Sequence, residues 1–135
     1  MKILCVPAKT EKLIDVTDFV MEELEQYDCS PKTRYQLELA IEEIFVNIAS
    51  YAYEPGEGDA EIRCDILLDP LRVEIQFLDE GKPFDPLARE KADTSPDAFM
   101  ERVGGLGIFL VKETMDDVRY AYENGKNVLT ILKNL

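Results

Sequence analysis

Leu13, Val16, Phe19, Val20, Leu24 and Tyr27 recur at steps of three and four, the apolar stripe of an amphipathic helix. Before them, residues 2–7 read as a short strand ended by Pro7, and Thr10 is placed to cap the helix. Cys29, Ser30 and Pro31 break the stripe. Ser30 is a favoured N-cap and Pro31 a favoured first helical residue, so a second helix begins here. Its apolar positions are Leu37, Ala40, Ile41, Ile44, Phe45, Ile48 and Ala49. That wide arc predicts burial around much of the helix, which should run to about Tyr53 before Pro55, Gly56 and Gly58 end it. Residues 61–68 and 72–78 alternate polar and apolar around Asp69 and Pro70, the pattern of a hairpin. Residues 79–104 are turn-rich, then polar and aperiodic, and a loop of that length in a compact domain is usually functional or mobile. Gly104, Gly105, Leu106 and Gly107 lead directly into Ile108, Phe109, Leu110 and Val111, the start of a third helix reaching about Met115. Residues 118–122 and 127–132 form a last hairpin around Asn124 and Gly125. The order β-α-α-β-β-loop-α-β-β predicts an α+β two-layer sandwich, with one largely antiparallel sheet covered on one face by three helices.

Composition narrows what such a sandwich can do. A chain of 135 residues makes one domain, here 1–135, with a core that needs neither disulfide nor metal. Lysine and arginine number 15 against 28 aspartates and glutamates, a net charge of −13. That charge repels phosphate backbones and anionic bilayers, so nucleic acid and membrane surfaces are not expected partners. There is no histidine, so imidazole bases, Ser–His pairs and histidine-bearing zinc sites are excluded, and acid–base chemistry falls to carboxylates, lysine, tyrosine or cysteine. Cys5, Cys29 and Cys64 are odd in number and widely spaced, which suits buried reduced thiols in a cytoplasmic protein. The amino terminus is too short in apolar residues for a signal peptide, and no stretch approaches a membrane span.

Three features carry candidate chemistry. Glu43 and Asn47 lie four apart on the second helix and so share a face. A carboxylate there could deprotonate a hydroxyl or water, and an amide oxygen one turn on could ligate Mg²⁺; a solvated acidic helix face is the plainer alternative. Asp79, followed by Glu80 and Gly81, ends a strand. Asp79 can accept a hydrogen bond from an adenine amine while Gly81 lets backbone approach, although an ordinary turn has the same sequence. Gly104, Gly105, Leu106 and Gly107 open a helix, where free N–H groups and the helix dipole favour an anion such as phosphate. A plain glycine-rich loop fits that run as well, since it has neither a Walker ending nor dinucleotide spacing.

The order of the three features is more specific than any of them. A helix with Glu-x-x-x-Asn, a strand ending Asp-x-Gly, a long polar loop and Gly-x-Gly opening a helix resembles the GHKL ATPase superfamily and its Bergerat ATP-binding fold. Residues 42–47, 79–86 and 104–108 look most like the anti-sigma-factor serine kinases of bacteria. The resemblance implies Glu43 as general base, Asn47 as Mg²⁺ ligand, and Asp79 with Gly81 as the adenine reader. It implies that Gly105, Leu106 and Gly107 meet the phosphates, and that residues 82–103 form a lid. It also implies ATP and Mg²⁺ as cofactors, a bacterial cytoplasmic setting and a homodimer. The partners implied are a sigma factor and a small antagonist protein phosphorylated on serine. A non-catalytic nucleotide switch that holds a sigma factor is the alternative, and an interaction domain without nucleotide a third reading. The chain departs from the wider pattern at four places. Pro83 replaces a glycine, and Tyr51 stands where many relatives have histidine. Asn127 or Thr130 stands in for a threonine, and no arginine adjoins Gly104, Arg102 being nearest.

Overall fold

In a computed structural model, residues 1–87 and 105–135 are described. Strand β1 (Lys2–Pro7) is followed by helices α1 (Leu13–Leu24) and α2 (Pro31–Asn47). Strands β2 (Asp59–Leu67) and β3 (Arg72–Asp79) come next, then helix α3 (Gly105–Thr114) and strands β4 (Asp117–Glu123) and β5 (Lys126–Asn134). The strands form one sheet in the order β1-β2-β3-β5-β4, and every neighbouring pair is antiparallel. The fold is therefore the expected α+β sandwich. Most of the loop read as a lid, residues 88–103, lies outside the described residues, as do Arg102 and Gly104.

Period-two alternation sorts the sheet into two faces. Ala60, Ile62, Val73, Ile75, Phe77, Leu129 and Ile131 are buried on the helix side. Val16, Val20 and Leu24 of α1 and Leu37, Ile41, Ile44 and Phe45 of α2 meet them in one core. Each fully buried side chain of this size contributes about 1.5–3 kcal/mol, which fixes α2 firmly over the sheet. Asn124 and Gly125 have φ of 53° and 77°, the two-residue turn their sequence signals.

Ser30 caps α2 as expected, its hydroxyl accepting from the Thr33 N–H at 3.1 Å, with Pro31 at the first turn. Thr10 does not cap α1. Thr10–Lys12 forms a 3₁₀ turn, and Lys12 takes the N-cap position without a side-chain hydrogen bond. The α-helical geometry of α2 stops at Asn47 rather than near Tyr53, and Ile48–Ala52 continues as a π-helical turn. Only Cys64 is a buried thiol, and burial pushes its pKa up to about 12. Cys5 is exposed on the edge strand β1, and Cys29 is half-buried, so the expectation of three buried thiols holds for one.

Candidate functional site

The last buried-face positions of β3 and β5 are polar. Asp79 follows Phe77 in the helix-facing row, Asn127 precedes Leu129 in its own row, and the two are register partners. Both are nearly sealed from solvent, at 6% and 7% exposure, so each needs hydrogen-bond partners. Asp79 Oδ1 accepts from the Gly81 N–H and from Asn127 Nδ2, both at 2.9 Å. Among the described residues nothing donates to Oδ2, and no sealed side-chain atom lacks a partner, so this oxygen keeps some contact with solvent.

Gly81 is needed for close approach, and the backbone that approaches belongs to the chain itself. A Cβ at 81 would lie 2.7 Å from the Ala52 carbonyl carbon and 2.8 Å from its Cβ. Lys82 N–H donates to the Ala52 carbonyl at 3.2 Å. The π-helical turn thus leaves α2 just after Asn47 and docks its last carbonyl against Gly81 and Lys82. Single π turns inside helices occur often at functional sites. Tyr53 completes the joint: its hydroxyl donates to the Asp59 carbonyl at 2.6 Å and accepts from the Glu80 N–H at 2.7 Å.

Glu43 and Asn47 sit one turn apart near the carboxyl end of α2, and α2 packs on α3. Glu43 is half-buried, and burial, then the neighbouring Glu42 charge, raises its pKa. Its carboxylate lies where a side chain at Gly107 would be: a Cβ there would overlap the carboxylate and come 3.0 Å from Glu43 Cγ. Sequence spacing alone did not bring these two together. Gly105 and Leu106 open α3 two residues and one residue before this contact. Asn47 is half-buried rather than enclosed, and its amide has no hydrogen-bond partner among the described residues.

The site therefore has two halves, Glu43–Gly107 and Asp79–Gly81–Asn127, bridged by the segment from Asn47 to Ala52. Thr130 is not part of it. It lies on the opposite face of β5, where its hydroxyl accepts from Gln76 at 3.3 Å across β3. Strand parity could have separated Asn127 from Thr130, because Asn127 shares the row of Leu129 and Ile131. Tyr53 and Tyr120, the latter donating to Asn127, carried no sequence signal. A hard cation fits the donor set. Among the described residues no three acidic or cysteine side chains cluster to hold a metal alone. Magnesium, which keeps waters and shares substrate phosphates, needs only an oxygen such as that of Asn47.

One antiparallel sheet with helices on one face, and a buried polar pair where β3 and β5 end, define an α+β sandwich of a recognisable class. The chain belongs to the histidine kinase-like ATPase domain family, which it matches over residues 6–133. It is 36% identical over 97 residues to the serine-protein kinase RsbW of Listeria monocytogenes serovar 1/2a, covering 69% of this chain and 61% of that protein. It is 33% identical over 98 residues to the serine-protein kinase RsbW of Bacillus subtilis strain 168, covering 68% and 59%. The matches thus span about three-fifths of these relatives' lengths. The Acinetobacter baumannii histidine kinase AdeS shares the fold, with a TM-score of 0.53 at 12% identity over 99% of this chain and 68% of that one.

Proposed function

We propose that this chain binds Mg-ATP between α2, α3 and the ends of β3 and β5, and transfers the γ-phosphoryl group to a serine of a partner protein. The observation that carries the reading is the contact of the Glu43 carboxylate with Gly107, which sets a base beside the glycines that open α3. Glu43 takes the hydroxyl proton, Asp79 accepts from the adenine amine, and Gly105, Leu106 and Gly107 offer backbone to the phosphates. Magnesium, held by Asn47 and the phosphates, would neutralise charge on the transferring group. The relatives named serine-protein kinases support the reaction class. The partners are a sigma factor and a small antagonist protein, on the resemblance of the site motifs. The setting is cytoplasmic and the protomer can pair with itself; among the described residues no helix is long and apolar enough to cross a membrane.

Incubation of the purified chain with labelled ATP and a co-purified partner tests this. Label should appear on a partner serine, and Asp79→Asn should weaken ATP binding. A wild-type chain that binds ATP and GTP equally contradicts the role of Asp79. The lack of an arginine beside Gly104 in the sequence favours a second reading, a switch that binds nucleotide and partner without transfer. The same assay separates the two, since a switch binds both and never labels.

A further inference from the structure

We propose that Asn127 is a positioning residue for purine selection: it fixes the Asp79 carboxylate toward a 6-amino group and ties that carboxylate to the loop after β3. The inference rests on the nucleotide reading of the site. Asn127 Nδ2 donates to Asp79 Oδ1 at 2.9 Å, to the Lys82 carbonyl at 3.0 Å and to the Gly81 carbonyl at 3.4 Å. Its Oδ1 accepts from the Phe84 N–H at 3.1 Å and from the Tyr120 hydroxyl.

These partners leave one orientation for the amide. Its nitrogen faces a carboxylate and two carbonyls, and its oxygen faces an N–H and an O–H; a flipped amide would set like against like at every contact. Two hydrogens serve three acceptors and two lone pairs serve two donors, so Asn127 has no capacity left for a ligand. It can act only through Asp79. With Oδ1 held by Asn127 and by the Gly81 N–H, the carboxylate cannot rotate without breaking both bonds. Oδ2 is then presented as a fixed acceptor, which suits the amine of adenine and opposes the oxo group of guanine. The same amide secures residues 82 and 84, so the adenine contact and the start of the loop share one anchor.

Two variants and two measurements test this. Asn127→Asp keeps the oxygen that serves Phe84 and Tyr120, removes the nitrogen arm and sets a second carboxyl beside Asp79. Adjacent carboxyls share a proton, and a protonated carboxyl donates, which suits guanine. Asn127→Ser is too short to reach Asp79 and Phe84 together, and it keeps the test open should the first variant not fold. Calorimetry with Mg-ATP and Mg-GTP is expected to show the ATP:GTP preference falling about tenfold or more in both, the worth of one charged hydrogen bond. In the nucleotide-free chain, amide exchange at Phe84 should quicken in Asn127→Ser and hold in Asn127→Asp. If the wild type prefers ATP and both variants keep that ratio, or lose both nucleotides equally, Asn127 is structural only and the inference is wrong. A wild type that binds neither nucleotide overturns the nucleotide reading itself, and the inference falls with it.

Discussion

Glu43 is placed at some cost to the fold, and that cost has a sign. Burial raises its pKa above the ordinary 4.5, so the native state resists its ionisation. The penalty is absent below the unfolded value near 4.5 and fully present above the raised one. Glu43→Gln should therefore raise Tm at neutral pH, and the gain should fade as pH falls toward 4.5, as thermal melts across pH will show. The same substitution should cut phosphoryl transfer by roughly 10²–10⁴, the range for loss of a general base. Mg-ATP affinity should move by less than about 1 kcal/mol, because the group acts in the transition state. Transfer by the wild type should rise with pH through a value above 4.5. Glu42→Gln should move that profile toward lower pH, since the exposed Glu42 charge adds to the shift. A transfer rate unchanged by Glu43→Gln removes Glu43 as the base.

Elements differ in how openly the sequence declares them. Strand alternation, the Ser30–Pro31 start and the Asn124–Gly125 turn are local chemistry, and the structure follows them nearly residue for residue. The motifs of the candidate site were legible for the same reason, as short runs at element ends. The π-helical turn was not. Ile48 and Ala49 extend the apolar stripe at helical spacing, so periodicity continues the α-helix through them. What changes the winding accompanies a tertiary contact, the Ala52 carbonyl against Gly81, between residues that no period links. The partnership of Glu43 and Gly107 is of the same kind. Thr10 does not cap α1 because a 3₁₀ turn intervenes, which no single-residue preference reports. The turn also makes a prediction. At Gly81→Ala the added methyl meets backbone, not a pliable side chain, and so forces the Asn47–Ala52 segment to shift. Denaturation should show a loss of about 1–3 kcal/mol, typical of overpacking, and Mg-ATP binding should weaken with it. An unchanged stability would mean that the joint yields freely.

The whole molecule carries −13, and a triphosphate must approach that field. Binding should accordingly need the cation: calorimetry with ATP and a chelator should show markedly weaker binding than with Mg²⁺. The buried thiol of Cys64 offers a separate gauge of the whole fold, independent of any partner or phosphate assay. A thiol sealed in the core, with its pKa held near 12, reacts with an alkylating reagent only when the chain opens. Exposed Cys5 reacts at once and serves as the internal standard. In the regime of fast reclosing, the slow alkylation of Cys64 counts the fraction of time the core is open. Mg-ATP that binds only the closed chain should slow it by 1 + [ATP]/Kd, about a hundredfold at 100 times Kd. Cys64 thus acts as a clock built into β2, able to time nucleotide binding by its own silence.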